Sequence, residues 1–163
     1  MKRATNPAGT RSGNARFSYD TSHVDWKDFF TPGTHYKILN VDLEARSADM
    51  LVKFEANSQC MYHRHACRTT TLVLEGELRV REQVDGGEVV RVKQAGSYSH
   101  GGENEVHIED SGDEIAIIFF GMRSDSDVIY EFLNEDLSLK RAVTVADFDS
   151  DWGEHWPQDA NAA

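Results

Sequence analysis

Residues 62–92 read YHRHACRTTTLVLEGELRVREQVDGGEVVRV. Runs rich in Val, Leu and Thr, Thr69–Leu74 and Glu77–Val84 among them, are cut short by Gly76 and by Asp85-Gly86-Gly87. Glycine supplies the positive φ that tight turns require, so each interruption reads as a reversal between strands. From about Val24 onward, turn signals recur every ~8–12 residues, the rhythm of an all-β sandwich or barrel.

Working outward, the same pattern predicts strands at His35–Leu43, Asp49–Ala56, Tyr62–His65, Val89–Val92, Ser97–His100, Glu105–Glu109, Ile115–Phe120 and Val128–Leu133. Ala45–Ala48, Gly101-Gly102 and Ser111-Gly112-Asp113 supply further turns. The run Ile115–Phe120 does not alternate, which predicts cover on both faces, by the barrel interior and by a second layer or a partner subunit. A homodimer is therefore expected. Thr144-Val-Ala-Asp147 resembles a helix cap, opening a short helix toward Trp156 that Gly153 weakens.

Three segments result. Residues 1–17 carry Lys2, Arg3, Arg11 and Arg16 and no acid, a flexible basic arm. Residues 18–148 form one β-barrel domain, and 149–163 an acidic C-terminal tail, partly ordered. At 163 residues with 39% hydrophobic content, the chain is long enough for one buried core. It contains no apolar run long enough to span a bilayer. Twenty-eight acids against 17 bases give a net charge of −11, which repels polyphosphate and anionic lipid, so neither nucleic acid nor membrane is expected as a partner. Two cysteines, Cys60 and Cys67, are too few for a disulfide framework, and the expected location is the reduced cytoplasm. The sequence has no phosphate-binding glycine loop, nucleophile elbow or paired glycosidase-like carboxylates, which argues against nucleotide and acyl-transfer chemistry.

The chemistry gathers around histidine. His63 and His65 sit at i and i+2 of a strand, so both rings share one face and can converge on an ion. The third candidate ligand is His107, in the stretch GSYSHGGENEVH of residues 96–107. Together these stretches resemble the cupin superfamily. Its first motif runs Gly, five residues, His-x-His, three or four residues, Glu, six residues, Gly; its second runs Gly, five residues, Pro-x-Gly, two residues, His, three residues, Asn. His63, His65, Gly76, Gly96 and His107 match at the required spacing. Asn57 and Asn104 stand where two glycines belong, Thr69 or Thr70 where the Glu belongs, Gly102 at the Pro and Ser111 at the Asn. The fold this resemblance implies is a double-stranded β-helix, or jelly-roll barrel, over about residues 30–135.

Three neutral imidazoles leave a divalent ion its full charge and open positions for an anionic, bidentate substrate and oxygen. A three-histidine site without the glutamate is similar to the small cupin dioxygenases that cleave acetylacetone and related β-diketones or hydroxy-ketones. That resemblance implies one Fe(II) per chain held by His63, His65 and His107, an organic anion bound as its enolate, and O₂ breaking its carbon–carbon bond. Zn, Ni or Mn could occupy the site after purification. Cupins also include non-catalytic small-ligand or metal sensors and metal-independent sugar isomerases, which are the alternative readings.

Around the ligands, Glu105 and Glu109 share His107's face and are candidates to accept its free ring N–H. Thr69, Thr70, Tyr98 and His100 are candidate pocket residues, with His100 a general base or alternate ligand. Phe29, Phe30, Phe54, Phe119, Phe120 and the tryptophans could line an apolar pocket. A structural zinc site from Cys60, His63, His65 and Cys67 is disfavoured, because a continuous strand aims Cys60 away from the histidines while Cys67 shares their parity. The same parity places Arg64 and Arg68 outside, as ion-pair residues.

Overall fold

The computed structural model describes residues 25–155, with side chains through 151. Its strands are β1 (Lys27–Asp28), β2 (Thr34–Asp42), β3 (Ser47–Phe54), β4 (His63–His65), β5 (Arg68–Glu75), β6 (Glu77–Val84), β7 (Gly87–Gln94), β8 (Tyr98–Gly101), β9 (Val106–Ser111), β10 (Ala116–Arg123), β11 (Val128–Leu133) and β12 (Leu139–Thr144), followed by helix α1 (Val145–His155). They form two six-stranded sheets, ordered β1-β2-β3-β10-β5-β8 and β12-β11-β4-β9-β6-β7, with antiparallel neighbours throughout. This is the expected jelly roll. β1 and β12 are additions to the sequence reading.

Both sheets turn apolar side chains inward at alternate positions. On β3 and β10 these are Met50, Val52 and Phe54, and Ala116, Ile118, Phe120 and Met122. Phe54, Ile38, Leu78, Ile118, Met122 and Ile129 are each less than 2% exposed, so each contributes on the order of 1.5–3 kcal/mol by leaving water. β10 thus does alternate. Its outward Phe119 lies between Leu51 and Leu72 of the flanking strands, and these lateral neighbours half-bury it without a further layer.

Turn chemistry explains why the motif tolerates its substitutions. Gly76, between β5 and β6, has φ 70°, and a Cβ there would lie 2.1 Å from the Ile115 carbonyl oxygen. Gly96 has φ 88°. Asn57 and Asn104, the two replacements for motif glycines, have φ 58° and 67°. Asparagine is the side chain that best accepts this left-handed region, so the backbone path survives the change of residue. The Asn104 turn is tied directly to the histidine strand, since Asn104 N–H donates to the His65 carbonyl at 2.7 Å.

Helix α1 begins with the expected capping box. Asp147 N–H donates to Thr144 Oγ1, and Thr144 N–H to Asp147 Oδ2 at 2.8 Å. The helix continues through 149–155, so the expected boundary after residue 148 falls inside it. Buried Phe148 packs on Tyr130, while Asp151 binds Lys27 at 2.6 Å and accepts a hydrogen bond from the Tyr36 hydroxyl, fastening the helix to the first sheet. The basic arm, residues 1–17, lies outside the described residues. No helix among the described residues is long and apolar enough to cross a membrane.

Candidate metal centre

β4 and β9 are hydrogen-bonded neighbours in the second sheet, and their register places His63 directly opposite His107. His65 follows on the same face of β4, opposite Tyr130 of β11. All three rings point into the interior and are 4–7% exposed. Their centroids are 4.6–4.9 Å apart, and one ring nitrogen from each lies within 4.8 Å of the other two. The structure thus brings together all three histidines singled out by spacing.

The surroundings keep these rings neutral. Burial holds His63 down to about 4, opposed by a hydrogen bond to the Met61 carbonyl. Burial, then the neighbouring His63 ring and Lys93, bring His107 to about 3. His65 is driven well below its ordinary value, first by burial and then by His63, His107 and Lys93. Only neutral imidazole offers a lone pair. His63 Nδ1 lies 3.1 Å from the Met61 carbonyl oxygen; donating there leaves the lone pair on Nε2.

Three buried nitrogens, His65 Nδ1 and both ring nitrogens of His107, have no hydrogen-bond partner. Orphaned buried polar atoms are rare in a folded interior and mark a missing ion or water. A borderline transition metal is the group that three converging neutral imidazoles suit. The residues therefore fit a divalent metal.

A cavity of about 40 Å³ adjoins the rings, walled by Phe29, Phe54, Phe120, Tyr130 and Phe132 on its apolar side and by His63, His65, Cys60 and Glu109 on its polar side. At ~10–15 Å³ per water, that is space for a few waters, so a guest must be compact unless side chains move. Phe29, Phe54 and Phe120 line it as expected. Phe30 instead is 45% exposed and packs its edge on Phe132, and Phe119 faces outward.

Several expected residues lie elsewhere. Thr70 pairs with His100 across β5 and β8, on the outer face of the first sheet, with Thr70 Oγ1 3.4 Å from His100 Nδ1. Tyr98 stacks edge-on against His100 and is 62% exposed. Thr70, Tyr98 and His100 therefore border a separate outer groove or open solvent, because alternation carries them away from the interior. Thr69, with Thr71, is buried on the inward side of β5. Glu105 accepts the Gly102 N–H at 2.9 Å, which leaves it bracing the β8–β9 turn. Neither Glu105 nor Glu109 accepts a hydrogen bond from His107.

Cys60 departs from its expected place, whereas Cys67 is a buried thiol. Strand β4 starts only at His63, so parity does not extend back to Cys60, whose sulfur lies 3.5 Å from His63 Nδ1 and accepts the Glu109 N–H at 3.1 Å. It sits behind the ring, on the nitrogen that faces Met61, and burial pushes its thiol far up, first of several causes. Cys67 is fully buried and does not line the cavity. Arg64 and Arg68 pair outside with Glu131 and Asp125, as expected.

Sequence reading missed Lys93. It lies on β7, opposite Leu78 of β6, with its ammonium donating to Ser99 Oγ at 3.0 Å, and its charge acts on His65, His107 and Glu109. Only the hairpin register could have placed it there.

The family model described as the ChrR cupin-like domain matches residues 14–124, more than half the chain. The chain belongs to that family. Among solved structures, this cupin is similar to a candidate acetylacetone dioxygenase from Methylibium petroleiphilum PM1, with 22% identity, TM-score 0.69, and 82% of this chain and 91% of that one covered. It is also similar to an RmlC-like cupin protein from Ralstonia eutropha JMP134, with 16% identity, TM-score 0.69 and 83% of each chain covered. A third likeness is to an acetylacetone dioxygenase from Acinetobacter johnsonii, with 16% identity, TM-score 0.67, and 80% of this chain and 87% of that one covered. At such identities the likeness is one of fold. No curated protein matches the sequence.

Proposed function

We propose that this cupin is an Fe(II)-dependent dioxygenase that cleaves a carbon–carbon bond of a small β-diketone-like or hydroxy-ketone substrate bound as its enolate. The observation that carries this reading is the cluster of three buried, neutral imidazoles, with orphaned nitrogens, beside a small apolar cavity. His63, His65 and His107 would hold the ion, which supplies Lewis acidity and a meeting point for enolate and oxygen.

The protein's own residues do the rest. Phe54, Phe120 and Phe132 keep the guest dry and limit it to a compact molecule. A dry wall disfavours any charge that lacks a partner, so an enolate is retained only beside a cation. Lys93, held by Ser99, adds positive potential to this side of the barrel. Cleavage of a β-diketone by O₂ places one oxygen atom in a carboxylic acid and the other in a dicarbonyl fragment, so no external reductant is consumed. The reading takes a small organic anion and O₂ as partners, in a reducing cytoplasm that suits the two free thiols Cys60 and Cys67. It also takes the chain as a homodimer, for which light scattering should give twice the 18.4 kDa chain mass.

The test is oxygen uptake after anaerobic iron reconstitution, across a panel of diketones and hydroxy-ketones. At least one substrate should exceed the iron-only blank and, without oxygen, give an enolate-to-iron absorption band. A band without uptake would favour a ligand sensor, and neither signal from an iron-loaded protein would end the proposal. A metal-independent isomerase using a histidine as its base is the other alternative, and about one bound transition metal per chain in protein purified without added metal would argue against it. His100, which faces the outer groove, is not placed to serve as that base in this cavity.

A further inference from the structure

β5 carries no carboxylate where the cupin motif has its glutamate: Thr69 is inward and buried, Thr70 outward. A carboxylate enters the same interior from another strand. Glu109 lies two residues beyond His107 on β9, on the same face, and is 8% exposed. Its Oε2 is 3.8 Å from His63 Nε2 and its Oε1 is 3.9 Å from His107 Nε2, so the two oxygens address the imidazoles of two different strands. Among the described residues no donor hydrogen-bonds this carboxylate; it is the Glu109 backbone that binds Cys60, its N–H donating to Sγ and its carbonyl accepting the Cys60 N–H at 2.9 Å.

A carboxylate in a dry interior with neither donor nor cation in contact is costly. His107 Nε2, which faces this carboxylate, is likewise without a partner, and as a lone-pair nitrogen it has the same need of a cation. One divalent ion between them meets both the carboxylate and that lone pair.

We propose that Glu109 is the fourth protein ligand of the metal, a carboxylate supplied from β9 in place of the one that β5 lacks. This inference rests on the reading of His63, His65 and His107 as a metal centre. It changes the electrostatics of that centre: one carboxylate and three imidazoles leave an M²⁺ ion a single net positive charge. A monoanionic enolate then gives a neutral assembly, while a dianionic chelate leaves a net negative charge buried against Phe120 and Phe132. The substrate class is thereby narrowed to monoanions. Cys60 is placed to support rather than ligate, because its sulfur holds the Glu109 backbone from behind His63.

The test uses Co(II) and Zn(II) as probes on the full chain, before any substrate is added. Wild-type protein should take up about one Co(II), with visible absorption bands that change in position and intensity in Glu109→Gln. Losing a partner outside the coordination sphere costs about 10–100-fold in metal affinity. Loss of a direct ligand should exceed that range in a chelator competition. Because Glu109→Gln could fail to fold, the wild type is also measured by infrared difference between Zn(II)-loaded and metal-free protein, where coordination shifts the carboxylate stretches. A Glu109→Gln protein with unchanged cobalt spectrum and affinity would overturn the inference, as would a zinc-loaded wild type with unshifted carboxylate bands. If the wild type takes up no metal at all, it is the metal-centre reading that fails.

Discussion

The β4–β9 and β5–β8 strand pairs both carry histidine beside hydroxyl or carboxyl groups, and they differ in which side of the sheet those groups occupy. Across β4 and β9, His63, His65, His107 and Glu109 all face inward and are 4–8% exposed. Across β5 and β8, Thr70, Tyr98 and His100 all face outward, where His100 is exposed. The residue types are similar, but burial differs, and burial is the first cause of every depressed histidine in the inner set. The difference teaches that a histidine becomes a ligand here through strand parity and a dry environment, and that sequence proximity to the motif is insufficient.

The largest expected break comes from His107→Ala, which removes the ring whose two nitrogens both lack partners. Metal content should fall from about one ion per chain to none measurable by elemental analysis. The pH dependence of the metal-free protein sharpens the contrast next. The inner histidines have folded values near 4 and 3, or simply well below 6.5, so between about pH 6.5 and 4 the unfolded chain binds more protons and stability rises with pH. Glu109, raised to about 7 chiefly by burial, acts in the opposite sense between about pH 4.5 and 7, but it is one group against three. Thermal unfolding should therefore show the metal-free protein losing a few kcal/mol on acidification from pH 6.5 to 4, and His100→Ala should leave that profile in place.

Gly101 marks the seam between the two pairs. A Cβ there would meet Thr69 Oγ1 at 2.4 Å and Glu105 Oε2 at 2.9 Å, so Gly101→Ala should displace those side chains and lower stability by about 1–3 kcal/mol in denaturant unfolding. The smallest effect belongs to the outer pair itself. His100→Ala should change stability by no more than ~0.5 kcal/mol and leave metal uptake at wild-type level. A metal defect in that variant would erase the distinction between the pairs.

Much of this was legible in the chain. The strands flanking Gly76 and Gly96 were readable because glycine and short β-branched runs report backbone reversals directly, and β6 and β11 have the bounds that pattern predicts. The three ligands were legible through i, i+2 parity within β4 and motif spacing to β9. Strand β12 was not: Lys140 and Arg141 interrupt its apolar content, as suits an edge strand that pairs only with β11. Cys60 and Lys93 were hidden for another reason. One lies just before a strand begins, where parity says nothing, and the other approaches through a hairpin register that no local pattern encodes.

Helix α1 gives the cavity a mechanical dependence on a distant segment. Phe148 props Tyr130, whose ring is part of the apolar wall, and Asp151 bolts the helix to Lys27 and Tyr36 on the opposite sheet. A cut between Thr144 and Phe148 would leave every ligand intact and yet remove the buttress from that wall. Seepage of solvent toward the histidines, visible as faster amide exchange along β11, would be the first sign of such damage.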